Sequence, residues 1–151
     1  MADKFDPNFS FSQQLWYYYS TNRGKIRSRY NDLTRKFLAY NDSEENPHAF
    51  LRKPQFEALE MYVFVKEFMN NKQVYEMFDD WCHKRDRFSD ASYYAIDKGG
   101  QIRLFDAPTE KQTDTLFKQM KKYREDYPNY IYALTMGLGK TILMATCIFY
   151  E

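Results

Sequence analysis

Cysteine, histidine, glycine and proline are all scarce in this 151-residue chain, which holds two, two, five and five of them. Two cysteines, Cys82 and Cys147, cannot staple a disulfide scaffold. The adjacent pair Cys82-His83 has no second ligand pair, and His48 is remote in sequence, so the spacing excludes an ordinary zinc site. Five glycines argue against a turn-rich β-barrel. Neither charge sign is in excess: 22 Lys and Arg stand against 21 Asp and Glu, so no global field draws the chain to nucleic acid or membrane. Met1-Ala2-Asp3-Lys4 opens no apolar h-region, so no signal peptide is expected and the cytoplasm is the default location.

What is present begins with aromatics. Fourteen Tyr, 13 Phe and two Trp make 19% of the chain, against a hydrophobic share of 44% and a charged share of 28% typical of one globular domain. Trp16-Tyr17-Tyr18-Tyr19 and Tyr93-Tyr94 read more readily as bulky core fillers than as a base-stacking platform. The run from Tyr130 to Glu151 is largely apolar, but Lys140 lies at its centre, where a bilayer would charge it about 3 kcal/mol. It reads as buried core, and no membrane association is expected.

Spacings of three and four predict helices through Leu15, Trp16 and Tyr19, and again through Ile26, Tyr30, Leu33, Phe37 and Tyr40. A longer helix is predicted from Pro54, whose missing N–H suits a first turn. Asn70-Asn71 should break it, with Val74 to Trp81 continuing as another helical piece. Tyr93–Ile96 and Gln101–Phe105 flank Asp97-Lys98-Gly99-Gly100 and predict a β-hairpin near 93–105. A helix opening at Thr109-Glu110 follows, then a short strand from Tyr130 to Leu134 and an apolar helix to Glu151. The expected fold is α+β and mostly helical, with a domain over 1–127 and a strand, loop and helix over 128–151.

The stretch with most chemistry is Thr135-Met136-Gly137-Leu138-Gly139-Lys140-Thr141. Glycines let a backbone curl until several N–H groups converge on phosphate oxygens, and the helix that follows adds its dipole. Lys140 would reach the β- and γ-phosphates, and the Thr141 hydroxyl would ligate Mg²⁺. The strict GxxxxGK[ST] pattern is not met, because Leu134 stands where its first glycine belongs. The alternative is a turn between two core elements with Lys140 merely solvated.

Leu134-Thr135-Met136-Gly137-Leu138-Gly139-Lys140-Thr141 resembles motif I of superfamily-two helicases and translocases, in the version found in the DEAD/DEAH-type ATPases of restriction systems. Phe50-Leu51-Arg52-Lys53-Pro54-Gln55-Phe56-Glu57-Ala58-Leu59 resembles the LRxxQxEAL segment of the same motors. The resemblance covers residues 50–59 and 130–151. It implies that Gly137, Leu138, Gly139, Lys140 and Thr141 bind Mg-ATP and that Gln55 reads the adenine edge, an amide offering donor and acceptor together. The alternative for Gln55 is an exposed glutamine at a helix start. Some eighty residues separate the two segments, several times the usual gap in compact helicases.

The resemblance further implies the start of a RecA-like ATPase lobe, truncated one helix after motif I. The parent would be an ATP-dependent DNA helicase or translocase, most like the motor subunit of type III restriction enzymes. Its expected partners are DNA and a modification subunit, and its cofactors ATP and Mg²⁺. An acidic magnesium motif and an arginine finger are missing, so the chain alone is not expected to hydrolyse ATP, and no catalytic residue is assigned. The apolar strand and last helix would then need other cover, by docking on the N-terminal domain or by pairing with another chain.

Arg23, Lys25, Arg27 and Arg29 concentrate positive charge next to Tyr30 and form a weak candidate DNA-backbone footprint, whose alternative is one solvated helix face. Asp106 with Gln119-Met120-Lys121 is the nearest approach to a nuclease arrangement, but Gln119 falls on a predicted helix. The competing function is a non-catalytic DNA- or protein-interaction domain in which the Gly-Leu-Gly-Lys-Thr sequence is unused.

Overall fold

The computed structural model describes residues 10–92, 94–96, 102–104, 108–127, 130, 131, 134, 137 and 139–151. Its elements are α1 (Phe11–Arg27), α2 (Asp32–Asn41), α3 (Lys53–Val63) continued by a π-helical turn (Phe64–Phe68), α4 (Val74–Cys82), a short 3₁₀ turn (Asp86–Phe88), α5 (Glu110–Lys122) and α6 (Lys140–Tyr150). None of the described helices is long and apolar enough to cross a membrane.

The helices begin and end for local reasons. Asn31 caps α2 by accepting the Thr34 N–H at 2.8 Å. Pro54 sits in the first turn of α3, where its missing N–H costs nothing. Asn70 and Asn71 take left-handed backbone, φ 54° and 53°, and so terminate the π-helical turn. Thr109 opens α5, with the Gln112 side chain reaching back to its N–H at 2.9 Å.

The expected α+β class is overturned, because the described residues are built from helices with no sheet layer among them. Extended pairing among the described residues is confined to Tyr94–Ile96 and Ile102–Leu104, antiparallel with Ala95 opposite Arg103. The hairpin expected near 93–105 is thus present among the described residues as this pair of three-residue strands, too short to form a sheet layer. Its Asp97–Gly100 turn lies outside the described residues.

The strand expected from Tyr130 to Leu134 is overturned as well. Tyr130, Ile131 and Leu134 carry no strand structure, and residues 132 and 133 lie outside the described residues. A strand exists only through hydrogen bonds to a neighbour, and apolar β-prone composition cannot supply one. Consequently no strand–loop–helix unit of a RecA-like lobe is seen among the described residues.

The chain divides into two compact units, residues 1–21 with 72–128 and residues 22–71 with 129–151. The first is an aromatic cluster: Phe11 meets Phe78 edge-on at 5.3 Å and Trp81 at 5.8 Å, and Tyr18 meets Phe88 at 5.0 Å. Met77, Phe78, Trp81 and Phe88 are buried there, and α5 lies on α4 through Tyr75 and Phe117. The aromatic-rich composition is spent on packing at these positions.

The second unit is built on α3 and its π-helical extension, which bury Phe56, Leu59, Val63, Phe64 and Phe68. Helix α6 lies along α3 and buries Leu143. At one end Gln55 meets Gly139, while at the other Lys66 pairs with Glu151 at 2.8 Å and Tyr62 donates to the same carboxylate. The two helices therefore run parallel, with their N-termini side by side.

Candidate functional site

The site is assembled where α3 and α6 begin. Arg52 is the cap residue of α3, and Gln55 is the third residue inside it. The Gln55 side-chain oxygen accepts the Arg52 backbone N–H at 2.7 Å, which satisfies one donor left open by the helix start. The Nε2 of the same amide donates to the Gly139 carbonyl at 2.9 Å. Gln55 is only 3% exposed, so the exposed glutamine offered by the sequence is replaced by a buried one with both ends of its amide engaged.

Gly139 is the cap residue of α6 and stands in left-handed backbone, φ 66° and ψ 53°. Its carbonyl starts the helix by accepting the N–H groups of Ile142 at 3.1 Å and Leu143 at 3.3 Å. Two constraints require glycine here. A side chain would be strained at this φ, and a Cβ would lie 2.8 Å from Gln55 Nε2. Gly137 shares the left-handed backbone at φ 79° but faces open space, so only its backbone calls for glycine. The Arg52 guanidinium reaches the Gly137 carbonyl at 3.4 Å, a long and weak contact.

Lys140 and Thr141 form the exposed first turn of α6. Thr135, Met136 and Leu138 lie outside the described residues. The N–H groups of a first helical turn have no partner inside the helix, and here two parallel helices present that end together. Arg52, Lys53 and Lys140 are carried on the same two helix starts, and all three are exposed or nearly so. Chemically, the arrangement suits an anion with several oxygens. Among the described residues, no group of three His, Cys, Asp or Glu side chains is placed to hold a metal by itself.

The basic candidates are distributed differently from a free phosphate-binding row. Arg23 pairs with Asp42 at 3.0 Å and Glu60 at 2.8 Å. Arg27 pairs with Asp42 at 3.4 Å and Glu45 at 3.1 Å. The side chains of Asp42 and Glu60 are 4% and 6% exposed, so these arginines neutralise buried carboxylates. Arg29 lies over the Phe68 ring at 5.8 Å, and Lys25 is exposed.

Two groups went unmarked in the sequence. Arg52 lies within the resembling segment but carried no assigned role; its reach to Gly137 spans 85 residues, and no local pattern encodes it. Glu67 gathers the Asn31 N–H at 3.1 Å, the Thr34 hydroxyl at 2.6 Å and the Tyr150 hydroxyl at 3.0 Å, fixing the far end of α6. Burial and this acceptor carboxylate push the Tyr150 hydroxyl up to about 12. Burial likewise pushes the Cys82 thiol up to about 12.

Comparison with family models, with curated proteins and with solved structures finds no match.

Proposed function

We propose that this chain carries the Mg-ATP-binding loop of an ATP-dependent DNA helicase or translocase of restriction-enzyme type. In this reading Gly137, Leu138, Gly139, Lys140 and Thr141 hold the phosphates, and the Thr141 hydroxyl faces Mg²⁺. DNA and a modification subunit are the partners of such a motor. One observation carries the reading: the two segments that resemble the same motors, 84 residues apart, meet through the Gln55–Gly139 hydrogen bond. A chance Gly-Leu-Gly-Lys-Thr turn gives no reason for that particular glutamine to close on its second glycine. The reading rests on the loop and α3 and on no sheet.

The test is calorimetric titration of the chain with Mg-ATP beside a Lys140→Ala variant. Binding that weakens at least tenfold on removal of the ammonium group supports the reading, since Lys140 is exposed and its loss should not unfold α6. Absent binding, or equal binding by both proteins, overturns it.

A second reading is favoured by one observation on α6. Met144, Ile148 and Phe149 are 61%, 73% and 82% exposed along a helix that bears charge only at its ends. Such a face suits a non-catalytic interaction domain that binds a macromolecular partner and leaves the loop unused. Nucleotide-independent behaviour together with lost partner binding on Ile148→Ser would favour this reading.

A further inference from the structure

We infer that Gln55 is a positioning residue that locks the phosphate loop to α3, with its amide committed inside the protein and not reading a nucleobase. The inference builds on the nucleotide-binding reading above but departs from the adenine-edge role that the resemblance implies for this glutamine.

The argument begins with the capacity of the amide. To read adenine, a glutamine must turn its carbonyl oxygen and its NH₂ towards one base edge. Here the oxygen is held by the Arg52 N–H at 2.7 Å, and the nitrogen is directed to the Gly139 carbonyl at 2.9 Å. The residue is 3% exposed, and turning it outward would take from the Arg52 N–H the side-chain partner that caps α3.

The place of the contact matters equally. A phosphate loop works when its N–H groups converge on the anion, so its carbonyls must be held facing elsewhere. Gly139 O is such a carbonyl, and it also accepts the Ile142 and Leu143 N–H groups that begin α6. A single side chain therefore holds together the starts of two parallel helices. The Arg52 contact to Gly137 O adds a weaker hold two residues earlier. Gly139 completes the lock, because a Cβ there would stand 2.8 Å from Gln55 Nε2 and push the amide aside.

Hydrogen exchange on the full chain tests the lock without nucleotide. Gln55→Glu keeps an oxygen for the Arg52 N–H but loses the donor to Gly139, and it turns a carboxylate towards that carbonyl. Exchange over residues 139–143 should accelerate at least tenfold, while α4, in the other unit, keeps its protection. Gly139→Ala, which pushes from the opposite side, should give the same local pattern if Gln55→Glu folds poorly. Unchanged exchange over 139–143 in both variants overturns the lock whether or not nucleotide binds.

Titrations with Mg-ATP and Mg-GTP form the second arm. A lock predicts that Gln55→Glu weakens both by the same factor, whereas a base reader predicts loss of ATP affinity alone. The ATP-only result overturns the inference while leaving the nucleotide-binding reading intact. Failure of the native chain to bind either nucleotide removes that reading, and the lock is then decided by the exchange result.

Discussion

Gln55 Nε2 and the Gly139 carbonyl stand 2.9 Å apart across 84 residues of sequence, and a Cβ on Gly139 would come within 2.8 Å of the same nitrogen. The bond and the glycine depend on each other. Both Gly137→Ala and Gly139→Ala incur the left-handed backbone cost, about 1–2 kcal/mol. Gly139→Ala also displaces a buried amide, which adds roughly 1–3 kcal/mol. Urea unfolding should therefore rank Gly139→Ala clearly below Gly137→Ala, with unchanged m-values. Equal midpoints for the two variants would refute this coupling.

Asp42 lies between Arg23 and Arg27 with its side chain only 4% exposed. Removing one partner of a buried ion group strands the others, so Asp42→Ala should cost about 3 kcal/mol. Lys25→Ala, on the exposed side of the same helix, should stay within about 0.5 kcal/mol. A loss below 1 kcal/mol for Asp42→Ala would show that the group is solvated. If the helix also contacts DNA, Lys25→Ala should lower the salt slope of binding without altering the melting temperature.

Tyr150 donates to Glu67, and its hydroxyl is raised from 10.0 to about 12 in the folded protein. The folded state thus holds this proton more tightly than the unfolded state. Its contribution is fully present below pH 10 and is lost as pH rises from about 10 to about 12. Unfolding curves for the native chain and Tyr150→Phe should converge across that window. Parallel curves from pH 8 to 12 would mean that the hydroxyl contributes nothing specific.

Cys82 is half-buried, and that burial pushes its thiol up to about 12. At pH 8 its thiolate fraction falls on the order of a thousandfold below that of an ordinary cysteine, so a Cys147→Ser variant should react correspondingly slowly with a disulfide reagent. Labelling at the rate of a free thiol would show that partial burial does not hold the Cys82 thiol protonated. Addition of urea past the unfolding midpoint should restore full reactivity.

Much of the helical content was written locally. Pro54 predicts the start of α3, Asn70-Asn71 its end, and Thr109-Glu110 the opening of α5, because caps and breakers act within one turn. One extended reading failed for the complementary reason. Tyr130–Leu134 has strand composition, but a strand needs a neighbour to accept its hydrogen bonds, and none of the described residues is placed beside it as one. The charge run at 23–29 looked like a surface because its carboxylate partners, Asp42 and Glu60, come from other elements.

The sequence by itself determined where α3 begins and breaks, where α5 opens, and that glycine precedes α6. These depend on contacts within a few residues, where backbone preference and side-chain spacing suffice. It assigned Ile26 to the second helix, however, whereas α1 runs through it to Arg27. Only the tertiary structure decided that Gln55 is buried against Gly139, that α3 and α6 run parallel with their N-termini together, and that Arg23 and Arg27 neutralise buried acids. Each of those is a pairing of polar groups across many residues, and its stability comes from shared burial, which no single segment encodes.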